Sequence, residues 1–206
     1  MEKQKIISSI AFDVNGTLVD DTATFLTVIN MMLRRLELQP LPHEKLRREF
    51  GQPWTKIFRD RGVRMEVWPE EKLYDMYNGF YTSFGVPKLA FDAARVLRDL
   101  HNRNISLALV STQKEHVTMQ SLTSIAPLFS VFLHGVSDKV QALRRVQAQC
   151  GPLAYVGDQV GDMRAARGAD VVSIAYTGGL HTKDMLEAES PDFVINEFKE
   201  LLKLPS

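Results

Sequence analysis

Four short apolar runs in this chain each lead into a polar group able to do chemistry, and that regularity constrains the fold more than any single residue does. Ile6-Ile7-Ser8-Ser9-Ile10-Ala11-Phe12 runs into Asp13-Val14-Asn15-Gly16-Thr17, and Ile105-Ser106-Leu107-Ala108-Leu109-Val110 into Ser111-Thr112. Val131-Phe132-Leu133 precedes a helical stretch that opens near Lys139, and Leu153-Ala154-Tyr155-Val156 runs into Gly157-Asp158-Gln159-Val160-Gly161-Asp162. Short continuous apolar runs bounded by Gly and polar residues read as buried strands. Helical patterns over 91–103, 138–149 and 162–167 lie between them, with further strands at 171–175 and 193–195 and a last helix near 197–202. Strand and helix in alternation predict an α/β fold, a doubly wound parallel sheet covered on both faces. Ligands of such open sheets bind at the carboxyl ends of the strands. The four polar groups therefore converge on one edge.

A different pattern separates the first strand from the second. Asp20, Asp21 and Thr22 can cap a helix with Phe25, Val28, Ile29, Met32, Leu33 and Leu36 at helical spacing, and Pro40 and Pro42 end it. A short helix is expected over 43–50, a break at Gly51-Gln52-Pro53, and another helix over 54–61 stopped by Gly62. Pro69-Glu70-Glu71 opens a longer helix with Leu73, Met76, Tyr77, Phe80 and Phe84 along one stripe, closed by Gly85-Val86-Pro87. Residues 18–86 thus read as an inserted all-helical domain, and 1–17 with 87–206 as the α/β core.

Twenty-five basic residues balance 25 acidic ones, which gives no support for a nucleic-acid partner or an anionic membrane surface. No apolar stretch reaches the roughly 18–20 residues needed to span a bilayer. Met1-Glu2-Lys3-Gln4-Lys5 is not followed by a long apolar run, so no signal peptide is expected. Cys150 is the only cysteine, which rules out an internal disulfide or a cysteine-based zinc site and fits a cytoplasmic protein. His43, His101, His116, His134 and His181 show no pairing that points to a transition metal, and His116 reads as a helix-surface residue.

Asp13-Val14-Asn15-Gly16-Thr17 resembles the first motif of the haloacid dehalogenase-like superfamily, usually Asp-x-Asp-Gly-Thr. Ser111, Lys139 and Gly157-Asp158 with Asp162 resemble, in order, its second, third and fourth motifs. The helical insertion is similar to the cap that the family places between the first and second motifs. The resemblance implies a Rossmann-like core and Mg²⁺-dependent hydrolysis of a small phosphorylated metabolite. Asp13 would be the nucleophile and pass through an aspartyl phosphate. Asp13, Asp158 and the backbone carbonyl of Asn15 would hold Mg²⁺, with Asp162 behind them orienting the ligands or Lys139. Lys139 would neutralise charge on phosphate and nucleophile. Ser111, Thr112 and the backbone N–H groups of the Gly16-Thr17 turn would receive the phosphate. Gly51-Gln52-Pro53-Trp54 resembles the Gly-x-Pro loop in caps of the phosphoglycolate phosphatase-like branch. Gly51 and Gln52 are therefore expected at the substrate, and Trp54 either there or packed between domains. A cap hinged near 17–20 and 85–88 would gate access. Each feature alone has an ordinary explanation: Lys139 as a solvated helix residue, Ser111 as a helix N-cap, Asp158 and Asp162 as a turn and a cap. Their order along the chain argues against all of these holding together.

One position departs from the pattern. Asn15 stands where phosphatases of the family keep the Asp that protonates the leaving alkoxide and then deprotonates the attacking water. An amide cannot exchange a proton at physiological pH, and loss of general acid/base catalysis costs on the order of 10²–10⁴-fold per step it serves. Three readings stay open: a leaving group that needs no proton, such as an acyl phosphate; a slow phosphatase or a phosphate-ligand binding or regulatory protein; or an introduced change that traps a complex. Dehalogenases of the superfamily carry an aromatic residue there and lack the Mg²⁺ site, which Asn15 and the Asp158/Asp162 pair do not match. Phosphonate-cleaving relatives recruit a cap lysine; Lys45 and Lys56 are candidates, on helix patterns where a solvated lysine is the ordinary reading. Arg47, Arg48 and Arg59 either bind a second anionic group or face solvent. Asn15-Gly16 is also prone to deamidation, which would restore the family's Asp.

Overall fold

The structure is a computed structural model that describes residues 7–51 and 53–205. The chain divides into two compact units, one holding the residues up to Asp20 and from Lys88 onward, the other Asp21–Pro87.

The second unit is helical: α1 (Thr22–Arg35), α2 (His43–Glu49), α3 (Lys56–Arg59) and α4 (Glu70–Thr82). The buried stripe of α1 includes Leu26, Ile29, Met32 and Leu33, at the spacing of one helix face. Phe25 meets Phe50 edge-on at 4.7 Å. Asp21 occupies the N-cap position of α1, but its carboxylate accepts the Tyr81 hydroxyl at 2.7 Å rather than capping the helix. Asn30 does a loop's work from inside α1. Its amide nitrogen donates to the Leu41 carbonyl and its amide oxygen accepts the Leu41 N–H, both at 2.8 Å. The prolines on either side of Leu41 have no N–H to offer. Phe84, expected on the α4 stripe, lies past the end of that helix and is 50% exposed.

The first unit carries the strands: β1 (Ser9–Phe12), β2 (Val19–Asp20), β3 (Lys88–Leu89), β4 (Ser106–Val110), β5 (Phe129–Leu133), β6 (Leu153–Gly157), β7 (Val172–Tyr176) and β8 (Phe193–Ile195). Its helices are α5 (Ala93–Asn102), α6 (Glu115–Leu122), α7 (Lys139–Cys150), α8 (Val160–Ala169) and α9 (Lys183–Glu187). Six strands form one parallel sheet in the order β5-β4-β1-β6-β7-β8. Side chains alternate across it. Ile10, Phe12, Leu109 and Val156 join Val96, Leu97 and Leu100 of α5 on one side. Ala11, Ala108 and Tyr155 join Leu143 of α7 and Ala166 of α8 on the other. From β1 the sheet grows towards β4 in one direction and β6 in the other, so its topological switch point lies at the carboxyl end of β1.

Three local departures from the sequence reading have physical causes. Residues 18–20 are not the start of a helix: β2 pairs antiparallel with β3, and α1 begins only at Thr22. The helix expected from Phe91 begins at Ala93. Asp92 adopts a left-handed conformation (φ 63°) and Phe91 is 86% exposed, so the apolar ring contributes nothing to a buried stripe. The terminal helix is a 3-10 segment, Phe198–Lys203, whose Glu197 and Glu200 form a capping box.

Candidate active site

Asp13 is the first residue past β1, and its N–H bonds to the Val156 carbonyl at 2.9 Å, which extends the sheet by one rung. The chain then turns tightly. Gly16 donates its N–H to the Val19 carbonyl at 3.0 Å, and Thr17 donates to Val14 at 3.2 Å. Gly16 sits at φ +75°, and a Cβ there would lie 2.3 Å from an Asp158 carboxylate oxygen. Both the backbone sign and the space therefore require glycine.

Asp158 follows β6 and is fully buried. The Thr17 hydroxyl donates to its Oδ1 at 2.9 Å and the Leu180 N–H donates to its Oδ2 at 2.7 Å. Gly179 closes the other side: a Cβ there would lie 2.3 Å from Asp158 Cβ and Oδ2 and from the Gly16 carbonyl oxygen. The carboxylate is thus clamped between two glycines and two donors. Asp162 stands at the third position of α8 and forms a capping box with Gln159, accepting the Gln159 N–H at 3.0 Å. Its other oxygen accepts the Lys139 ammonium at 2.6 Å and the Tyr155 hydroxyl at 3.1 Å.

Lys139, the first residue of α7, is no solvated helix lysine. Its side chain is 17% exposed, and its Nζ lies 2.9 Å from Asp13 Oδ1 as well as 2.6 Å from Asp162. Asp138 caps α7 by accepting the Gln141 N–H at 3.1 Å, which fixes the helix start from which Lys139 reaches inward.

The electrostatics of the cluster are unbalanced. Asp13, Asp158 and Asp162 bring carboxylate oxygens within 4.8 Å of one another, yet a single ammonium bridges Asp13 and Asp162. Burial pushes the Asp13 carboxyl up to about 6, with Lys139 pulling it down and Asp162 pushing it further up. Burial, and then Asp13 and Asp162, hold Asp158 well above the ordinary carboxylate range. Burial works to lower the Lys139 ammonium, but Asp13 and Asp162 outweigh it and keep the group charged. Three clustered acids face one base, so the cluster is short of positive charge, and the donors are all oxygen. Both properties suit a hard divalent cation.

The remaining residues singled out by sequence fall in several places. Ser111 is buried just past β4, and its Oγ accepts the Gln113 N–H at 3.1 Å. It caps no helix, because α6 starts only at Glu115. Thr112 is exposed. Asn15 is half-buried, and its backbone bridges to Val19. The Gly16 nitrogen, which would have to attack the Asn15 side chain during deamidation, is committed to Val19. Gly51 and Trp54 belong to the helical unit, and Gln52 lies outside the described residues. The Trp54 indole N–H donates to Glu70 at 2.9 Å, and its ring packs edge-on to Phe58 and Tyr77. Lys45 lies 3.6 Å from Glu49, Lys56 pairs with Asp60, and both lysines are exposed helix residues. His116 is exposed.

Three features of the cluster are not apparent from sequence: the Tyr155 hydroxyl, the Gly179-Leu180 clamp, and His181. His181 is 3% exposed, and its Nδ1 accepts the N–H of Val160, the first residue of α8. The available signal was Gly178-Gly179 directly after a buried strand, a sign of close backbone approach.

The chain is similar over nearly its whole length to proteins named as phosphatases. It is 28% identical to the phosphoglycolate phosphatase of Salmonella typhimurium, covering 98% of this chain and 94% of that protein. It is 27% identical to the pyrophosphatase PpaX of Oceanobacillus iheyensis, covering 96% of each. In fold it is similar to a haloacid dehalogenase-like hydrolase from Streptococcus pneumoniae, with a TM-score of 0.81, 20% identity, and 96% and 97% of the two chains covered. The family model for haloacid dehalogenase-like hydrolases matches residues 10–176. That match runs from within β1 to the end of β7 and takes in every member of the carboxylate cluster, and the chain belongs to the haloacid dehalogenase-like hydrolases.

Proposed function

We propose that the protein is a Mg²⁺-dependent phosphatase of small phosphorylated metabolites that works through a phosphoryl group on Asp13. The observation that carries this reading is the Lys139 ammonium shared between Asp13 and Asp162, next to a clamped Asp158 at the switch point of the sheet. Relatives named as a phosphoglycolate phosphatase and a pyrophosphatase support the substrate class.

With a carboxyl near 6, Asp13 is ionised at neutral pH and able to attack phosphorus. The new bond forms between an Asp13 oxygen and phosphorus while the bond to the leaving oxygen breaks. Lys139 holds the nucleophile and offers positive charge to the phosphoryl oxygens. Ser111 receives the phosphate; the Gly16 and Thr17 N–H groups expected to join it are instead bonded to the Val19 and Val14 carbonyls, and the Thr17 hydroxyl to Asp158. Asp13, Asp158 and the Asn15 carbonyl would hold Mg²⁺, which when bound screens the repulsion between the carboxylate and the phosphate. Asp162 positions Lys139.

Asn15 limits the cycle. Its amide can hydrogen-bond the leaving oxygen but gives it no proton, so the leaving group departs as an anion. It also leaves the water that hydrolyses the aspartyl phosphate without a base. The site should therefore bind phosphate and become phosphorylated better than it turns over. Substrates whose leaving groups are stable anions, such as acyl phosphates or pyrophosphate, suit this residue best; a binding or regulatory role is the limit of the same trend.

A panel run in parallel on this chain and on Asn15→Asp tests the reading. It should include phosphoglycolate, other alkyl phosphates, pyrophosphate, acetyl phosphate and p-nitrophenyl phosphate, each with Mg²⁺ and with EDTA. We expect Mg²⁺-dependent release from the activated substrates. On alkyl phosphates the variant should gain about 10²-fold or more. Equal rates on alkyl phosphates would remove Asn15 as the limiting feature. No release from any substrate, with a thermal shift on phosphoglycolate, would favour the binding role.

A further inference from the structure

We infer that Tyr155 is a positioning residue that governs how Lys139 is shared between Asp13 and Asp162. The inference rests on the phosphatase reading for its kinetic consequences but not for its geometry. Tyr155 has no exposed surface and points from β6 into the layer beneath α7 and α8, where Ala142, Ala165 and Ala166 leave room for its ring. A strand residue at that depth would ordinarily be aliphatic, because a buried hydroxyl without a partner costs free energy.

The Lys139 ammonium lies within hydrogen-bonding reach of the Tyr155 hydroxyl, which donates to Asp162 Oδ1 at 3.1 Å. That oxygen is also the one 2.6 Å from Lys139 Nζ, while the opposite Asp162 oxygen takes the Gln159 N–H at 3.0 Å. The Tyr155 ring adds a second contact, with Lys139 Nζ 5.7 Å from its centroid, within cation–π range. Burial, with Asp162 adding to it, raises the phenol well above its ordinary range, so the group stays a donor.

Lys139 thus faces a competition. Asp162 holds it at 2.6 Å and Asp13 at 2.9 Å. A phenol donating to the same Asp162 oxygen withdraws part of that oxygen's charge and weakens its hold on the ammonium. The ring fixes where the ammonium can rest. Together they keep Lys139 within reach of the nucleophile. Without the hydroxyl, Asp162 Oδ1 has a single strong donor left among these contacts and draws Lys139 away from Asp13.

Tyr155→Phe keeps the ring and the packing and removes only the donor. Its kcat should fall roughly tenfold, the scale of one hydrogen bond to a charged group. KM should stay within about twofold, because Ser111 still receives the phosphate. In an Asp162→Asn background the same substitution should cost nothing further, since the competition it relieves is gone. A crystal structure of Tyr155→Phe should show Lys139 Nζ on Asp162 and beyond hydrogen-bonding distance of Asp13. A merely structural role would lower the melting temperature, leave kcat per folded molecule alone and keep Lys139 on both acids. That result would overturn the inference, as would an equal loss in both backgrounds. If the parent protein released no phosphate from any substrate, the functional reading would fall. The crystallographic comparison would still decide whether Tyr155 controls Lys139.

Discussion

Gly179→Ala is the sharpest test of the clamp around Asp158. The added Cβ would lie 2.3 Å from three atoms: Asp158 Cβ, Asp158 Oδ2 and the Gly16 carbonyl oxygen. Ordinary contact is 3.4–4 Å, so each must be relieved by more than 1 Å. None of the three is the free end of a flexible side chain. Asp158 is pinned by Thr17 and Leu180, and Gly16 belongs to a hydrogen-bonded turn. Overpacking of this kind costs about 1–3 kcal/mol. Displacing the carboxylate also forfeits the Leu180 bond to a charged acceptor, about 1.5–3 kcal/mol. A combined loss of about 2.5–6 kcal/mol lowers the melting temperature by roughly 5–24 °C in a chain of this size. The assay is thermal melting of parent and variant, with and without saturating Mg²⁺, alongside calorimetric Mg²⁺ titration. The matched control is Gly79→Ala in α4. A Cβ there meets nothing within 4 Å, so the same chemical change should stabilise by about 0.5–1 kcal/mol. A Gly179→Ala protein melting within about 2 °C of the parent, with its Mg²⁺ response intact, would refute the clamp.

Other consequences are simpler to state. Mg²⁺ at 100 times its dissociation constant should stabilise the protein by about 2.7 kcal/mol, and Asp158→Asn should remove most of that shift in a melting experiment. Asn30→Ala orphans both backbone groups of Leu41, each bonded at 2.8 Å, and should cost about 2–4 kcal/mol by chemical denaturation. Asn15 should stay an amide in the folded protein because the Gly16 nitrogen is engaged by Val19. Peptide mapping after parallel native and urea-unfolded incubations should find deamidation at that position only in the unfolded sample.

Much of the core was legible from sequence because a parallel sheet writes its strands as short apolar runs with abrupt polar ends. The expected strand at 193–195 coincides with β8, and that at 153–156 differs from β6 by one residue. Elements whose burial is slight left little trace. The buried residues of α6 are Thr118 and Leu122, too few to mark an apolar stripe. The β2·β3 ribbon pairs two residues on each side across a span of nearly 70, and no local pattern encodes such a partner. Asp13 and Asp158 were readable because each stands next to a strand end, and Asp162 because it follows Asp158 four residues on. The supports were not. Tyr155 looks like any other residue of a buried run until α8 brings Asp162 over its hydroxyl, and Gly179 acquires its meaning only when the loop after β7 folds back on Asp158. Lys139 illustrates the same limit from the other side. Read locally it is a solvated helix residue, and only the adjacency of β1, β6 and the start of α7 makes it a buried ion-pair partner.

The three acids of the site are each held by their own set of contacts. Asp13 is held by the sheet and Lys139, Asp158 by Thr17 and Leu180, and Asp162 by its capping box, Tyr155 and Lys139. The carbonyl of Asn15, the atom proposed to meet the cation, lies in a turn in which Gly16 donates to the Val19 carbonyl and Val19 donates to the Val14 carbonyl. On the proposed reading, an amide at position 15 keeps the backbone carbonyl for the cation and removes proton transfer. On the same reading an acid there would supply the missing proton transfer. On the proposed reading, residue 15 sets the balance between retaining a phosphoryl group and releasing it, while the rest of the cluster sets whether one is bound at all.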